Sequence, residues 1–447
     1  MLIDCPRMPV ALRRATLALR RLAALALRAG VAAAALASTQ APAQQAGTAG
    51  HAHSQAQAQA SSQASSQAHS HAPTSAANTR ASLAISAAVA PDGRLWVVGL
   101  DARRRLFLRH SADDGRHWSP DAYPDIGSDQ VAADGESRPK LAFGPQGVAV
   151  IAYTQPLARP YTGEIRMLRS TDGGRHFSAP FTVHQDRQVI THRFESIVFD
   201  GRGRLHVYWV DKRDNRTPRQ AGASIYRAVS DDGAATFGPD TPVAASSCEC
   251  CRIALQPVGD NEVAALWRHV FEGSIRDHAF LRSDASAAPD PTTGRPGMPL
   301  AAPVRATFDE WKIEACPHQG PGLATASDGG FHTVWFGERA GRAGVRYARL
   351  SATGTPLGAA VALPDERAEH ADIIRHGNRV AIVWRSFDGQ LTRLRAWTSD
   401  DEGGHWRLIE LAQARGANDH PRLVRRDDRI LAVWRTTTEV RVETIRF

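Results

Sequence analysis

A short turn motif, here called the box, recurs along the chain and constrains its fold more than any other feature. Its clearest copy runs from Ser170 to Phe177 and has the spacing Ser-x-Asp-x-Gly-x-x-aromatic. An aspartate can accept hydrogen bonds from the amides of its own turn, and glycine readily adopts a positive φ. The box therefore predicts a tight link between two strands, with the aromatic ring packed beneath the sheet. The copies are Ser111, Asp113, Gly115 and Trp118; Ser170, Asp172, Gly174 and Phe177; Ser230, Asp232 and Phe237, with Ala234 in place of glycine; and Ser399, Asp401, Gly403 and Trp406.

A second period underlies the boxes. A turn residue is followed six positions later by an aromatic residue that closes a short apolar strand, and the pairs are Gly147/Tyr153, Gly203/Trp209, Asn261/Trp267, Gly329/Trp335, Asn378/Trp384 and Asp428/Trp434. Gly93 leads in the same register to Gly99. All-strand repeats spaced by roughly 50 to 70 residues are typical of propeller blades. The predicted fold is therefore all-β, a β-propeller over residues 80–447.

Each repeat divides into four strands, with the box joining the third strand to the fourth. Counting the pairs predicts seven four-stranded blades, and six is the alternative count if one terminal unit is a fragment. The last unit ends after three strands. We expect its outer strand to come from the segment near 79–83, because an uncovered sheet edge invites aggregation.

The first 79 residues differ from the rest in composition. Residues 1–43 combine an arginine-rich start with a short apolar, alanine-rich run, which predicts an export signal. Residues 44–79 are Ala, Gln, Ser and His, and a segment this poor in large apolar side chains predicts a disordered linker. No later stretch is long and apolar enough to predict a transmembrane segment. We expect a periplasmic or secreted protein, and a monomer.

The charge balance argues against a nucleic-acid partner. The chain carries a formal net charge of +8, but residues 1–43 hold six arginines and one acid, which leaves about +3 for the remainder. A nucleic-acid-binding domain is expected to concentrate basic residues in one stripe. We therefore predict a small-molecule or glycan ligand.

Polar residues cluster where the chain enters the inner strand of each blade. In an up-and-down propeller these entries surround the mouth of a central funnel, on the rim opposite the boxes. Convergent polar groups at such a mouth predict a binding site. The candidates are Glu136, Arg138, His192, Arg193, Glu195, Arg252, His318, His370, Asp372, His420 and Arg422.

Four cysteines fall at two neighbouring entries. Cys248, Cys250 and Cys251 precede the fourth blade, and Cys316 precedes the fifth, two residues before His318. In an exported protein they predict disulfides, with one bridge from Cys316 to the first cluster. The alternative is a copper or zinc site that combines thiolates with His318 and either His370 or His420.

The boxes and blade pattern resemble the Asp-box, or BNR, repeats of the sialidase-like β-propellers. That family cleaves terminal sialic acids, so the resemblance implies three arginines on the substrate carboxylate, a Tyr–Glu nucleophile and an aspartate as acid and base. The clamp candidates are Arg138, Arg193, Arg252 and Arg422. The family's early Arg-Ile-Pro is absent here, and no tyrosine stands at an obvious funnel position. The cysteine motifs resemble those of an exported branch of BNR-repeat proteins.

These observations predict an exported sialidase-like propeller that binds a carbohydrate or anionic ligand in its funnel, without a complete catalytic motif. One alternative is an active exo-sialidase. The other is a periplasmic protein that binds copper or zinc through the cysteine–histidine cluster.

Overall fold

Seven antiparallel sheets follow one another in chain order and close into a ring. The computed structural model describes residues 82–215, 222–284, 302–315 and 317–447. The predicted export signal (1–43), the predicted linker (44–79) and Cys316 lie outside the described residues. None of the described helices is long and apolar enough to cross a membrane.

The first four blades contain 15 of the strands. Blade 1 is β1 (Ile85–Val89), β2 (Leu95–Leu100) and β3 (Leu106–Ser111). Blade 2 is β4 (Lys140–Phe143), β5 (Ala149–Pro156), β6 (Gly163–Ser170) and β7 (Phe181–Thr182). Blade 3 is β8 (His192–Phe199), β9 (Leu205–Asp211), β10 (Ala223–Ser230) and β11 (Thr241–Ser247). Blade 4 is β12 (Ala254–Val258), β13 (Glu262–Arg268), β14 (His278–Asp284) and β15 (Val304–Arg305).

The last three blades contain the other 11 strands. Blade 5 is β16 (Gly322–Thr325), β17 (Phe331–Arg339), β18 (Arg342–Leu350) and β19 (Val361–Ala362). Blade 6 is β20 (Ala368–His376), β21 (Arg379–Phe387), β22 (Thr392–Ser399) and β23 (Arg407–Ala414). Blade 7 is β24 (Arg422–Arg426), β25 (Arg429–Arg435) and β26 (Val440–Thr444). Two short 3₁₀ turns occur at Pro145–Gly147 and Glu272–Ser274.

The hydrophobic core is divided among the seven interfaces between neighbouring blades. Each interface has its own apolar cluster, including one between blade 7 and blade 1 that contains Leu95, Val97, Leu431 and Val433. The second strand of each blade is buried on both faces, which explains its continuous apolar sequence. The predicted all-β propeller and its count of seven blades are confirmed.

Five of the six recurring aromatic residues anchor their second strands through polar contacts, and Trp267 Nε1 has no partner in the described part of the chain. Trp384 Nε1 donates to Asp365 Oδ2 at 2.8 Å, and Arg395, which faces Trp384 on β22, binds the same oxygen at 2.9 Å. In blade 5, Trp335 Nε1 donates to Asp309 Oδ2 at 2.7 Å. A buried indole N–H needs such an acceptor. The sequence period located these aromatics, but the carboxylates that hold them lie outside that period.

Three of the boxes link the third strand to the fourth as predicted, and the box of blade 1 directly follows its third strand. In the second copy, Ser170 Oγ donates to Asp172 Oδ1 at 2.8 Å and accepts from Gly174 N–H at 2.9 Å. The residue at the glycine position has φ of +86° at Gly174 and +66° at Ala234. The alanine copy therefore keeps the same turn in a conformation that favours glycine.

Blades 7 and 1 meet where the ring closes. Blades 1 and 7 have three named strands each, and residues 79–81 lie outside the described residues. The described part of the predicted closing segment, Ser82 and Leu83, forms no strand, and the Ser82 hydroxyl donates to the carbonyl of Ala133 in the approach to blade 2. On the box rim, Asp114 of blade 1 instead binds Arg426 and Arg429 of blade 7. Side chains thus join the first and last blades directly.

Candidate functional site

The inner strands surround a central cavity of about 210 Å³. Its polar lining includes four cationic side chains and one carboxylate, which are Arg138, Lys140, Arg252, Arg422 and Asp372. Four of these five residues are candidates from the sequence, and they come from blades 2, 4, 6 and 7. The chemistry available to the cavity depends on which of its cations are already paired within the protein.

Arg138 is fully occupied by the protein. Its Nη1 and Nη2 donate to Asp419 Oδ2 and Oδ1 at 2.8 and 3.0 Å, and both side chains are at most 3% exposed. Nη1 also donates to the carbonyl of Ile85, and Nε donates to the carbonyl of Gly135, each at 2.7 Å. Arg138 therefore forms part of the ring's framework and has no free donor pair to offer a ligand carboxylate.

Arg252 is occupied in the same way. Nη1 lies 3.1 and 3.2 Å from the two carboxylate oxygens of Glu136, Nη2 donates to the carbonyl of Ala371 and Nε donates to the carbonyl of Pro321. Glu136 is 1% exposed. Burial raises the pKa of Glu136, but Arg252 and the nearby histidines outweigh that effect and hold the pKa well below the usual range. This pair also acts within the protein.

Arg422 differs from the other two arginines. Its guanidinium makes no hydrogen bond or ion pair with any residue in the described part of the chain, although it lines the cavity. Burial and the charges of Arg252 and Arg138 lower its pKa to about 9, so the group is still charged at neutral pH. The carboxylates of Asp372 and Glu136 act on this guanidinium only from beyond ion-pair distance, so its N–H groups can still bind an anion.

Lys140 is the second available cation and was not among the residues predicted from the sequence. Its Nζ donates to the carbonyl of Arg138 at 2.9 Å, which leaves two further N–H groups. Burial lowers its pKa to about 8, while the charge of Glu195 acts in the opposite direction. Lys140 lies two residues after Arg138, and the two-residue period of a strand was the signal that could have identified it.

Two carboxylates lie near these cations. Asp372 lines the cavity, and its Oδ2 accepts the backbone N–H of Leu423 at 3.0 Å. Glu195 is 1% exposed, its Oε2 accepts from the Thr154 hydroxyl at 2.6 Å, and its Oε1 has no hydrogen-bond partner in the described part of the chain. Burial raises the pKa of Glu195.

His370 and His420 meet beside the cavity rather than in its lining. Their rings are stacked with centroids 3.4 Å apart, and each Nδ1 lies 3.6 Å from Glu136 Oε1. Burial lowers the pKa of both imidazoles, and the charge of His370 lowers that of His420 further. The three side chains come from blades 2, 6 and 7, so no local sequence pattern connects them.

Three other candidates lie away from the cavity lining. His192 is fully buried, stacks on His184 with centroids 4.0 Å apart and donates through Nδ1 to the carbonyl of Gly163 at 3.0 Å. Arg193 lies over the Phe194 ring and faces Asp134 at 3.5 Å. His318 has a φ of +51°.

Cys248, Cys250 and Cys251 form a buried cluster that packs against Phe194, Val210 and Ala223. The Sγ atoms of Cys248 and Cys250 are 3.5 Å apart, and those of Cys250 and Cys251 are 3.8 Å apart. A disulfide is about 2.0 Å long, so none joins these three cysteines to one another. The predicted bridge to Cys316 lies outside the described residues. The predicted site combined cysteines with histidines. In the described part of the chain these residues form two separate clusters, one of Cys248, Cys250 and Cys251 and one of Glu136, His370 and His420.

Comparison with known proteins identifies the fold. No protein-family model matches the chain, and no curated protein matches it. A PL25 ulvan lyase bound to -[GlcA(1-4)Rha3S]- superposes with a TM-score of 0.50 at 13% identity, covering 81% of this chain and 92% of the lyase. The Hadza microbial sialidase Hz136 gives a TM-score of 0.44 at 14% identity, covering 77% of this chain and 74% of the sialidase. At these identities the likeness concerns the propeller fold alone.

Proposed function

We propose that the central cavity binds an anionic carbohydrate and that Arg422 and Lys140 hold its acidic group. The observation that carries the proposal is the cation balance of the cavity. Arg138 and Arg252 are neutralised by buried carboxylates, whereas Arg422 has no such partner among the described residues. A guanidinium and an ammonium together suit a carboxylate or sulfate group.

The size of the cavity indicates how much of the ligand enters it. About 210 Å³ is below the range of roughly 300–1,000 Å³ that is typical of sites for drug-sized ligands. We infer that one acidic sugar unit enters the cavity while the rest of the glycan lies across the mouth. The PL25 ulvan lyase bound to -[GlcA(1-4)Rha3S]- supports this inference by analogy of fold only.

Glycoside-cleaving activity is the extension of this proposal, with Glu195 and Asp372 as the candidate carboxylates, because their charges act on Lys140 and Arg422. Exo-sialidase activity is the specific alternative. It has little support, because Arg138 and Arg252 are paired internally. In addition, the hydroxyls of Tyr153, Tyr208 and Tyr347 bond to Asp129, Ser283 and His332. We also infer an exported, monomeric protein.

The binding proposal is tested by isothermal titration calorimetry with oligosaccharides of equal length that are neutral, carboxylated or sulfated. Wild-type protein is compared with Arg422→Gln and with Arg425→Gln, an exposed position on the same strand, β24. We expect binding of the anionic sugars alone. Arg422→Gln should weaken it by ~10- to 100-fold, which corresponds to a charged hydrogen bond of about 1.5–3 kcal/mol, and Arg425→Gln should not change it.

Equal binding of neutral sugars, or an unchanged affinity in Arg422→Gln, would overturn the proposal. Catalysis is measured on the same panel by new reducing ends and by the ultraviolet absorbance of an unsaturated uronate. Release of fluorophore from a sialoside would favour the exo-sialidase alternative.

A second candidate function is metal binding by the cluster of Cys248, Cys250 and Cys251, because their three Sγ atoms lie within 4.8 Å of one another. Soft thiolates suit copper(I) or zinc. Metal analysis of protein purified without an affinity tag would support this function if a stoichiometric ion is lost in Cys250→Ser. A disulfide to Cys316, detected by peptide mapping under non-reducing conditions, would count against it.

A further inference from the structure

Three buried side chains from different blades converge beside the central cavity. Glu136 lies just before β4, His370 lies within β20 and His420 lies just before β24. Their exposed fractions are 1%, 9% and 7%. One ligand atom from each residue lies within 4.8 Å of the others. Carboxylate and imidazole groups this deeply buried need partners of some kind.

The contacts inside this group leave two polar atoms unsatisfied. The Nδ1 atoms of His370 and His420 are each 3.6 Å from Glu136 Oε1, which is too long for a hydrogen bond. Both Nδ1 atoms are buried and have no hydrogen-bond partner in the described part of the chain. Two unpartnered imidazole nitrogens therefore face the same carboxylate oxygen across a short gap.

Neighbouring residues hold the three side chains in place. Arg252 binds both oxygens of Glu136, and Gln319 Oε1 accepts the backbone N–H of His370 at 3.0 Å. His370 has a φ of +54° at a break in the β20–β21 register, and such strain in a non-glycine residue often accompanies function. A Cβ atom at position 135 would lie 3.2 Å from His420 Cε1, so Gly135 leaves room for that ring.

We propose that Glu136, His370 and His420 bind a divalent transition-metal ion. Two nitrogens and one oxygen are donors that suit zinc. Two ligands about 2.1 Å from a tetrahedral zinc ion lie roughly 3.4 Å apart, close to the N–O separations observed here. The stacked rings must turn apart to direct both lone pairs at one ion, a rotation about each Cβ–Cγ bond. A fourth coordination position remains for water or ligand.

The proposed ion does not depend on the carbohydrate function, but it would be close to that site. Arg252 contacts Glu136 and also lines the cavity. An ion at this position would add positive charge beside the cavity, and a ligand oxygen could take its open position. Loss of the ion would leave Arg422 and Lys140 in place, so anion binding and metal binding can fail separately.

The test is zinc titration of the tag-free protein after chelator treatment, with mass-spectrometric metal analysis of the dialysed product. We expect the wild-type protein to bind one equivalent of zinc. His370→Gln and His420→Gln should each weaken the zinc affinity by ~100-fold or more, because loss of a group that only orients a metal ligand already costs 10- to 100-fold in affinity. His405→Gln is the matched control, because His405 is exposed and belongs to a box. It should keep the full affinity.

A second readout identifies the donors without a variant. The visible spectrum of the cobalt(II)-substituted wild-type protein should show tetrahedral nitrogen and oxygen coordination and no thiolate charge-transfer band. A zinc equivalent that survives both histidine substitutions and disappears in Cys250→Ser would overturn the proposal. So would the absence of any bound equivalent at micromolar free zinc, or a cobalt spectrum dominated by thiolate.

Discussion

Arg138 and Asp419 form a buried two-point ion pair, with N–O distances of 2.8 and 3.0 Å, although 281 positions separate them in the sequence. Asp419 Oδ2 also accepts the backbone N–H of Ile85 at 2.9 Å. One carboxylate of blade 7 therefore contacts blade 1 and the approach to blade 2. The pair lies on the cavity side of the ring, opposite the contact of Asp114 with Arg426 and Arg429.

Asp419→Asn should destabilise the protein strongly. Removing one partner of a buried ion pair leaves the other charge unpaired, which typically costs about 3–5 kcal/mol in the free energy of unfolding. Chemical denaturation at pH 7 measures the difference. The control is Glu439→Gln, which removes an exposed partner of Arg441 and should cost no more than ~1 kcal/mol. Equal losses in the two variants would contradict the framework role of Arg138 and Asp419.

Binding of the anionic ligand should weaken as the pH rises through about 8. Burial lowers the pKa of Lys140 to about 8. The side chain therefore carries a positive charge below that pH and loses the charge above it. Affinity measured from pH 6 to 8.5, where Arg422 with its pKa of about 9 is still mostly charged, should fall across this window. Lys140→Arg should bind with little change over the same range because the introduced arginine stays charged. Lys212→Arg, at a lysine paired with Glu249, should keep the wild-type pH profile. A profile that is flat in the wild type would refute the role of Lys140.

Substitution at the glycine position of the box should destabilise one copy and leave another almost unchanged. Gly174 has a φ of +86°, and an added Cβ would meet nothing closer than 3.5 Å, so Gly174→Ala tests backbone strain alone. We expect a loss of about 1–2 kcal/mol. Ala234 already has a φ of +66°, so Ala234→Gly should relieve strain and lose only the packing of one methyl group. Thermal unfolding of both variants, compared at equal ionic strength, should show a clear drop for Gly174→Ala and little change for Ala234→Gly.

Asp365→Asn should loosen blade 6 without affecting the cavity. The Asp365 carboxylate accepts hydrogen bonds from Trp384 Nε1 and from Arg395. Asparagine has no negative charge, so both contacts should become weaker. The expected cost is about 1–3 kcal/mol in the free energy of unfolding. Asp427→Asn, at an exposed turn position, should cost nothing. Near-ultraviolet circular dichroism should register the change around Trp384, and an unchanged spectrum and stability would show that the contact is dispensable.

The fold could be predicted because its signals are local. The box hydrogen bonds join Ser170 to Asp172 and Gly174 within five residues, so spacing alone identifies the turn. For the site, the sequence predicted which residues surround the cavity but not which of them are free to bind a ligand. Arg138, Arg252 and Arg422 all line the cavity, as their placement at strand entries indicated. Which of them is paired depends on carboxylates more than 100 residues away, and Arg252 is separated from Glu136 by 116 positions.

His192 shows the same limit in a different form. It occupies a strand entry, as the other candidates do, but its imidazole turns toward blade 2, where it bonds to the carbonyl of Gly163 and stacks on His184. The β8–β9 register breaks after Arg193. The direction of the His192 side chain therefore does not follow from the simple alternation of side chains along the rest of β8. The spacing of polar and apolar residues in β8 does not reveal where this break falls.

The ion pair between Arg138 and Asp419 also has a consequence for the order of folding. A ring closed by side chains of its first, second and last blades cannot be sealed while blade 7 is still missing. Contacts between such distant positions form late, because the intervening chain must first be ordered. Until then, blade 1 exposes the apolar face that later packs on Leu431 and Val433. During synthesis, blade 1 therefore keeps this apolar surface exposed until the last blade has formed. Aggregation is most favoured in that interval, so protection by chaperones matters most then.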